Sequence, residues 1–155
     1  MNKICTDIPQ SKRLIELGID VDTSDMVYLR SYFEDEGEYN LLVGSYHEGY
    51  MEKDDGTLIP VFDEHIPAWS LSALMNLLPS EFTEVGKYSK TTYNIHIRKY
   101  ALSENVDLHQ IAYGNYKWHE DGEYTWSDMV NTGEKENLID AAFEMIYWLK
   151  ENNKI

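Results

Sequence analysis

Residues 87–100, KYSKTTYNIHIRKY, hold Lys87, Lys90, Arg98 and Lys99 and no acidic residue, in a chain with 28 Asp and Glu against 13 Lys and Arg. Read as a β-strand with a period of two, the segment turns Tyr93, Ile95 and Ile97 one way and Asn94, His96 and Arg98 the other. If residues 101–107 form a hairpin loop, Ile97 pairs with Ile111 and Ile95 with Tyr113 on a core face. The opposite face then gathers Lys90, Asn94, His96, Arg98, Gln110, Tyr116 and Trp118. Cations, amides and aromatic plates suit a nucleotide-like anion, with Arg on phosphate and Tyr or Trp on a base. The competing reading is internal: acids of the same fold consume these charges, or the face is the wet side of a half-buried sheet.

Two acidic segments place oxygen and nitrogen donors close together: HEDGE (His119, Glu120, Asp121, Glu123) and FDEH (Asp63, Glu64, His65). Neither has the spacing of His-Glu-x-x-His, of paired Cys-x-x-Cys or of an EF-hand, so neither a metal nor another cofactor is expected. Five histidines (His47, His65, His96, His109, His119) could supply a base. No Gly-x-Ser-x-Gly, Ser-x-x-Lys or phosphate-cradling glycine loop accompanies them. A small hydrolase with a His or acidic site is therefore the alternative to a non-enzymatic binding role.

Three helices must position these groups. The first covers residues 8–17, with Asp7 as N-cap, Pro9 in the opening turn and Gly18 as stop. The second lies in IPAWSLSALMNLLP, capped by Ser70, striped by Leu71, Leu74, Met75 and Leu78, and ended by Pro79. The third, NLIDAAFEMIYWLKEN, opens on Asn137 and Asp140. It lines Leu138, Ala142, Met145 and Leu149 on one side, with Ile139, Phe143 and Ile146 beside them.

Strands are expected at 26–33 and 38–46 around a turn at Glu34–Gly37, after an Asp55-Gly56 turn, and at 91–100 and 109–118. The order is α, two or three strands, α, two strands, α. This is a single α+β domain, residues 1–155, with an antiparallel sheet of four to five strands packed against three helices.

A net charge of −15 disfavours direct binding to nucleic-acid backbone and to an anionic membrane, and neither is expected. It permits a basic protein partner, or an acidic mimic of DNA built from clusters such as Glu34–Glu36, Asp54–Asp55 and Glu120–Glu123. The clusters fall at turns, where carboxylates commonly give solubility and edge protection. Cys5 is the one cysteine, so no internal disulfide forms and a cytoplasmic location is expected. No stretch reads as a signal peptide or a membrane span.

The segments CTDIPQSKRLIELGIDVDTSDM, IPAWSLSALMNLLP and DAAFEMIYWLKENNKI, about a third of the chain, resemble an uncharacterised family of small phage- and prophage-associated proteins of Bacteroidetes. The resemblance implies a mobile-element setting and a shared fold, and it transfers no catalytic residue. The expected function is that of a phage or mobile-element accessory protein binding a host protein or a small anionic ligand. Interference with host defence would follow from that setting.

Overall fold

The computed structural model describes residues 3–31, 38–44, 50–103 and 106–155, without the side chains of Ser31 and Asp63. The expected turn at Glu34–Gly37 and the segment around His47 lie outside the described residues. The fold is α+β and its sheets are antiparallel. The chain divides into two compact units, Ile4–Ala73 and Leu74–Ile155, the latter including Met1–Lys3.

In the Ile4–Ala73 unit, α1 (Ile8–Glu16) opens as the sequence dictates. Asp7 accepts from the Gln10 N–H, the Gln10 side chain accepts from the Asp7 N–H, and Pro occupies the first turn. The chain leaves the helix through Gly18 at φ 74°, a left-handed turn that costs glycine little. Three strands, β1 (Met26–Ser31), β2 (Tyr39–Val43) and β5 (Phe62–Ala68), make a sheet in the order β2-β1-β5. Pro67 sits on an edge strand, where a missing N–H is tolerated.

A two-stranded hairpin, β3 (Tyr50–Glu52) and β4 (Leu58–Pro60), turns at Asp55-Gly56 as expected. Gly56 takes φ 79°, and hydrogen bonds from the Thr57 side chain and then the Thr57 N–H hold the Asp55 carboxyl below the usual range.

Buried polar groups in this unit are matched. Thr6 Oγ1 and Ser11 Oγ lie 2.7 Å apart, the Trp69 N–H donates to Thr6 Oγ1, and the Tyr28 hydroxyl donates to the Thr6 carbonyl. Cys5 is buried with its Sγ 3.4 Å from the Tyr28 hydroxyl, a packing position. Burial pushes the Tyr28 hydroxyl pKa upward.

The boundary between the units falls inside α2 (Leu71–Leu77), whose first turn is capped by Ser70 Oγ accepting from the Ala73 N–H. Beyond it, β6 (Glu81–Val85), β7 (Lys90–Ser103), β8 (Val106–Trp118) and β9 (Tyr124–Asn131) form a four-stranded meander in chain order. The register of β7 on β8 is the expected one: Ile97 faces Ile111 and Ile95 faces Tyr113. The strand inventory is longer than the sequence suggests, because β6 and β9 complete the sheet and β5 runs to Ala68, into the segment read as the approach to the second helix.

The last helix, α3 (Leu138–Glu151), packs on β8. Asn137 caps it by accepting from the Asp140 N–H at 2.8 Å. Its buried side is Ile139, Ala142, Met145, Ile146 and Leu149. Phe143, read with that side, is only half-buried and lies against Tyr147. Phe82, Tyr93, Tyr113 and Trp148 form a chain of ring contacts that joins the helix to the sheet, with Phe82 the shared ring. Tyr113 is buried, donates to the Pro79 carbonyl, and has its pKa raised by that burial.

Candidate functional site

The face of β7–β9 turned away from the Phe82–Tyr113 ring chain carries His96, Arg98, Gln110, Tyr116 and Trp118, as the alternation requires. Strand β9 adds Trp126, Asp128 and Tyr124 at the same parity, in register with Tyr116, Gly114 and Trp118. None of these three was among the candidate residues. The signal lay in the chain: Asp121-Gly122 closes a hairpin, with Gly122 at φ 90°, and Tyr124, Trp126 and Asp128 recur every second residue.

Arg98 is committed internally. Its Nη2 lies 2.5 Å from Asp128 Oδ1 and its Nη1 2.8 Å from Oδ2, a two-pronged pair with both side chains about one-fifth exposed. Nη1 also donates to Gln110 Oε1 at 2.9 Å. The Trp126 Nε1–H and Asn131 amide donate to the same carboxylate. Hydrogen bonding from Arg98 first, then from Trp126 and Asn131, holds the Asp128 carboxyl below the usual range, and the bond to Asp128 raises the Arg98 guanidinium. The reach is diagonal across β8, over Ala112, whose small side chain leaves room.

The other expected members divide. Gln110 belongs to the Arg98 network, and His96 stacks edge-on against Trp126 with ring centroids 4.8 Å apart. Its Nδ1 is buried and has no hydrogen-bond partner. Lys90, opposite Val85, and Asn94, opposite Glu81 and Gly114, are exposed.

Tyr116 and Trp118 belong to an aromatic cluster. Tyr116 meets Trp126 edge-on at 5.2 Å, and Trp118 meets Tyr124 at 4.7 Å. Tyr116, Trp118 and Tyr124 keep 65%, 59% and 67% of their surface in water. Gly114 makes this packing work. A Cβ there would strike the Ser127 carbonyl and stand 2.8 Å from the Trp126 indole, so the ring lies against bare backbone.

The two acidic segments serve other ends. Glu64 accepts from the Tyr39 hydroxyl and pairs with Lys12 and Arg30, which keeps its carboxyl low. His119 Nε2 contacts the Thr125 hydroxyl, and Asp121 accepts from the Glu123 N–H. Among the described residues, no three His, Cys, Asp or Glu side chains are grouped to hold a metal ion. No described helix is long and apolar enough to cross a membrane. Comparisons with protein-family models, with curated proteins and with solved structures return no match.

Proposed function

We propose that this chain is a binding protein of phage or mobile-element origin, acting in the bacterial cytoplasm by docking a basic segment of a host protein onto the β8–β9 hairpin. The observation that carries this reading is the ring cluster of Tyr116, Trp126, Trp118 and Tyr124, three of them more than half exposed on one face. Clustered exposed rings of this kind are costly in water and mark interaction surfaces.

Charge selects the partner. Glu120, Asp121 and Glu123 stand exposed in the turn that follows Trp118. An Arg or Lys over these rings gains roughly 0.5–1 kcal/mol each from cation–π attraction, with further attraction from the adjacent carboxylates. The resemblance of the helical segments supports the mobile-element setting, and a lone buried cysteine suits a reducing compartment. Host-defence interference is part of this proposal through that setting. A small anion at Arg98 is not, because Asp128 already neutralises the guanidinium.

The test is calorimetric titration with an Arg-Ser repeat peptide at low and physiological salt. Binding should weaken with salt. Tyr116→Ala with Trp118→Ala should weaken it about tenfold or more, while Lys12→Ala, in the other unit, leaves it unchanged. Equal binding by the double variant and the wild type would sink the proposal.

A further inference from the structure

We infer that the sheet holds a second binding site, a cleft on the α3-side face of β7–β9 that takes a small phosphate monoester with a polar body. The cleft has a volume of about 310 Å³ and is lined by Thr91 and Tyr93 of β7, Asn115 and Lys117 of β8, and Ser127 and Met129 of β9. These positions follow from register: Asn115 faces Ser127 and Lys117 faces Thr125, and the β7–β8 pairing carried on from Asn94–Gly114 sets Tyr93 beside Asn115 and Thr91 beside Lys117. They lie on the opposite face from Arg98 and the ring cluster, so this site does not depend on the protein-docking reading.

The argument is one of charge and donors. In the same unit Lys3, Arg98, Lys99, Lys135 and Lys154 each hold a carboxylate at 2.5–2.8 Å. Lys117, an exposed side chain, has no ion-pair partner among the described residues, as Lys87, Lys90 and Lys150 have none, but of these four it alone lines the cleft. What surrounds it in the cleft can donate: two hydroxyls, a phenol and an amide.

Two nearby carboxylates are already spent. Asp128 also borders the cleft, but its oxygens accept from Arg98, Trp126 and Asn131. Glu84, in register with Thr91, is held by Lys154 at 2.6 Å. A flexible ammonium acting as a point charge, with hydroxyl and amide donors around it, suits phosphate. The Tyr93 ring and Met129 offer apolar contact to the body of the ligand, and the volume, at the lower end of about 300–1,000 Å³ for ligand sites, limits it to a mononucleotide or smaller.

The experiment titrates the full chain with AMP, glycerol phosphate, inorganic phosphate and adenosine, following amide shifts and the Met129 methyl by NMR. The inference expects AMP or glycerol phosphate to shift Thr91, Asn115, Lys117, Ser127 and Met129, with adenosine much weaker. Lys117→Ala should weaken binding about tenfold or more, whereas Lys99→Ala, which removes the same charge at the far end of β7, should not. The Tyr116→Ala with Trp118→Ala variant should bind the monoester as wild type does. Shifts confined to other residues, equal loss in Lys117→Ala and Lys99→Ala, or binding of inorganic phosphate alone would overturn the inference.

Discussion

Arg98 and Asp128 sit between two regimes. A fully exposed pair contributes about 0–1 kcal/mol, while breaking a buried one costs about 3–5 kcal/mol. With both side chains one-fifth exposed and four donors on the carboxylate, Asp128→Asn should cost about 1–2 kcal/mol by chemical denaturation. The pH dependence has a definite sign. The folded carboxyl titrates below its unfolded value, so its stabilisation is present above the unfolded value and is lost as pH falls through the folded one. Melting temperature measured from pH 6 down to pH 2.5 should therefore fall less steeply in Asp128→Asn than in wild type, and equal slopes would remove the pair from the acid response. The alternation that set Arg98 on the face opposite Ile97 was legible in the sequence, as was its sharing that face with Gln110. Its acidic partner was not, because Asp128 lies two strands away on an element whose place in the sheet the sequence had not revealed.

Elements were legible in proportion to their aliphatic content. The caps Asp7, Ser70 and Asn137 and the stop at Gly18 stand where the chain announces them, because capping is local chemistry. Strand β9 escaped because its first five residues, Tyr-Thr-Trp-Ser-Asp, include no aliphatic residue, and Trp126 packs on Gly114 while Tyr124 meets Trp118 rather than a conventional core. Strand β6 is five residues long and buries only Phe82.

The same limit touched α3, where Leu138 and Phe143 follow the apolar spacing but are only partly buried. Ile146 is fully buried and Phe143 only partly so, and Ile146→Ala should cost about 2–5 kcal/mol. Phe143→Ala, against Tyr147, should cost less, about 1–2 kcal/mol, since part of that ring already stays in water. Urea titrations of the two variants followed by tryptophan emission decide the order, and a larger loss in Phe143→Ala would reverse the helix orientation described here.

Net charge is a property of the whole chain, but it is unevenly held. The unit Ile4–Ala73 has four Lys and Arg against fifteen Asp and Glu, whereas the other unit has nine against thirteen. Composition gave the total and not this partition, because the boundary falls inside α2, where no linker or glycine-rich stretch marks it. The partition decides which effect of salt wins. In the acidic unit the cations Lys12, Arg13 and Arg30 are already paired with Glu64 or Glu16, and those pairs are partly exposed, contributing about 0–1 kcal/mol each. Repulsion among the remaining carboxylates acts over a screening length of about 30 Å at 0.01 M salt and about 8 Å at 0.15 M. Screening it should outweigh the loss of a few weak pairs, so melting temperature should rise by about 2–5 °C between these concentrations. Hydrogen exchange at the two salt concentrations localises the effect: amides of β1 and β5 should gain more protection than those of β7 and β8. A fall in melting temperature, or an equal gain in both units, would mean that ion pairing rather than self-repulsion governs this acidic chain.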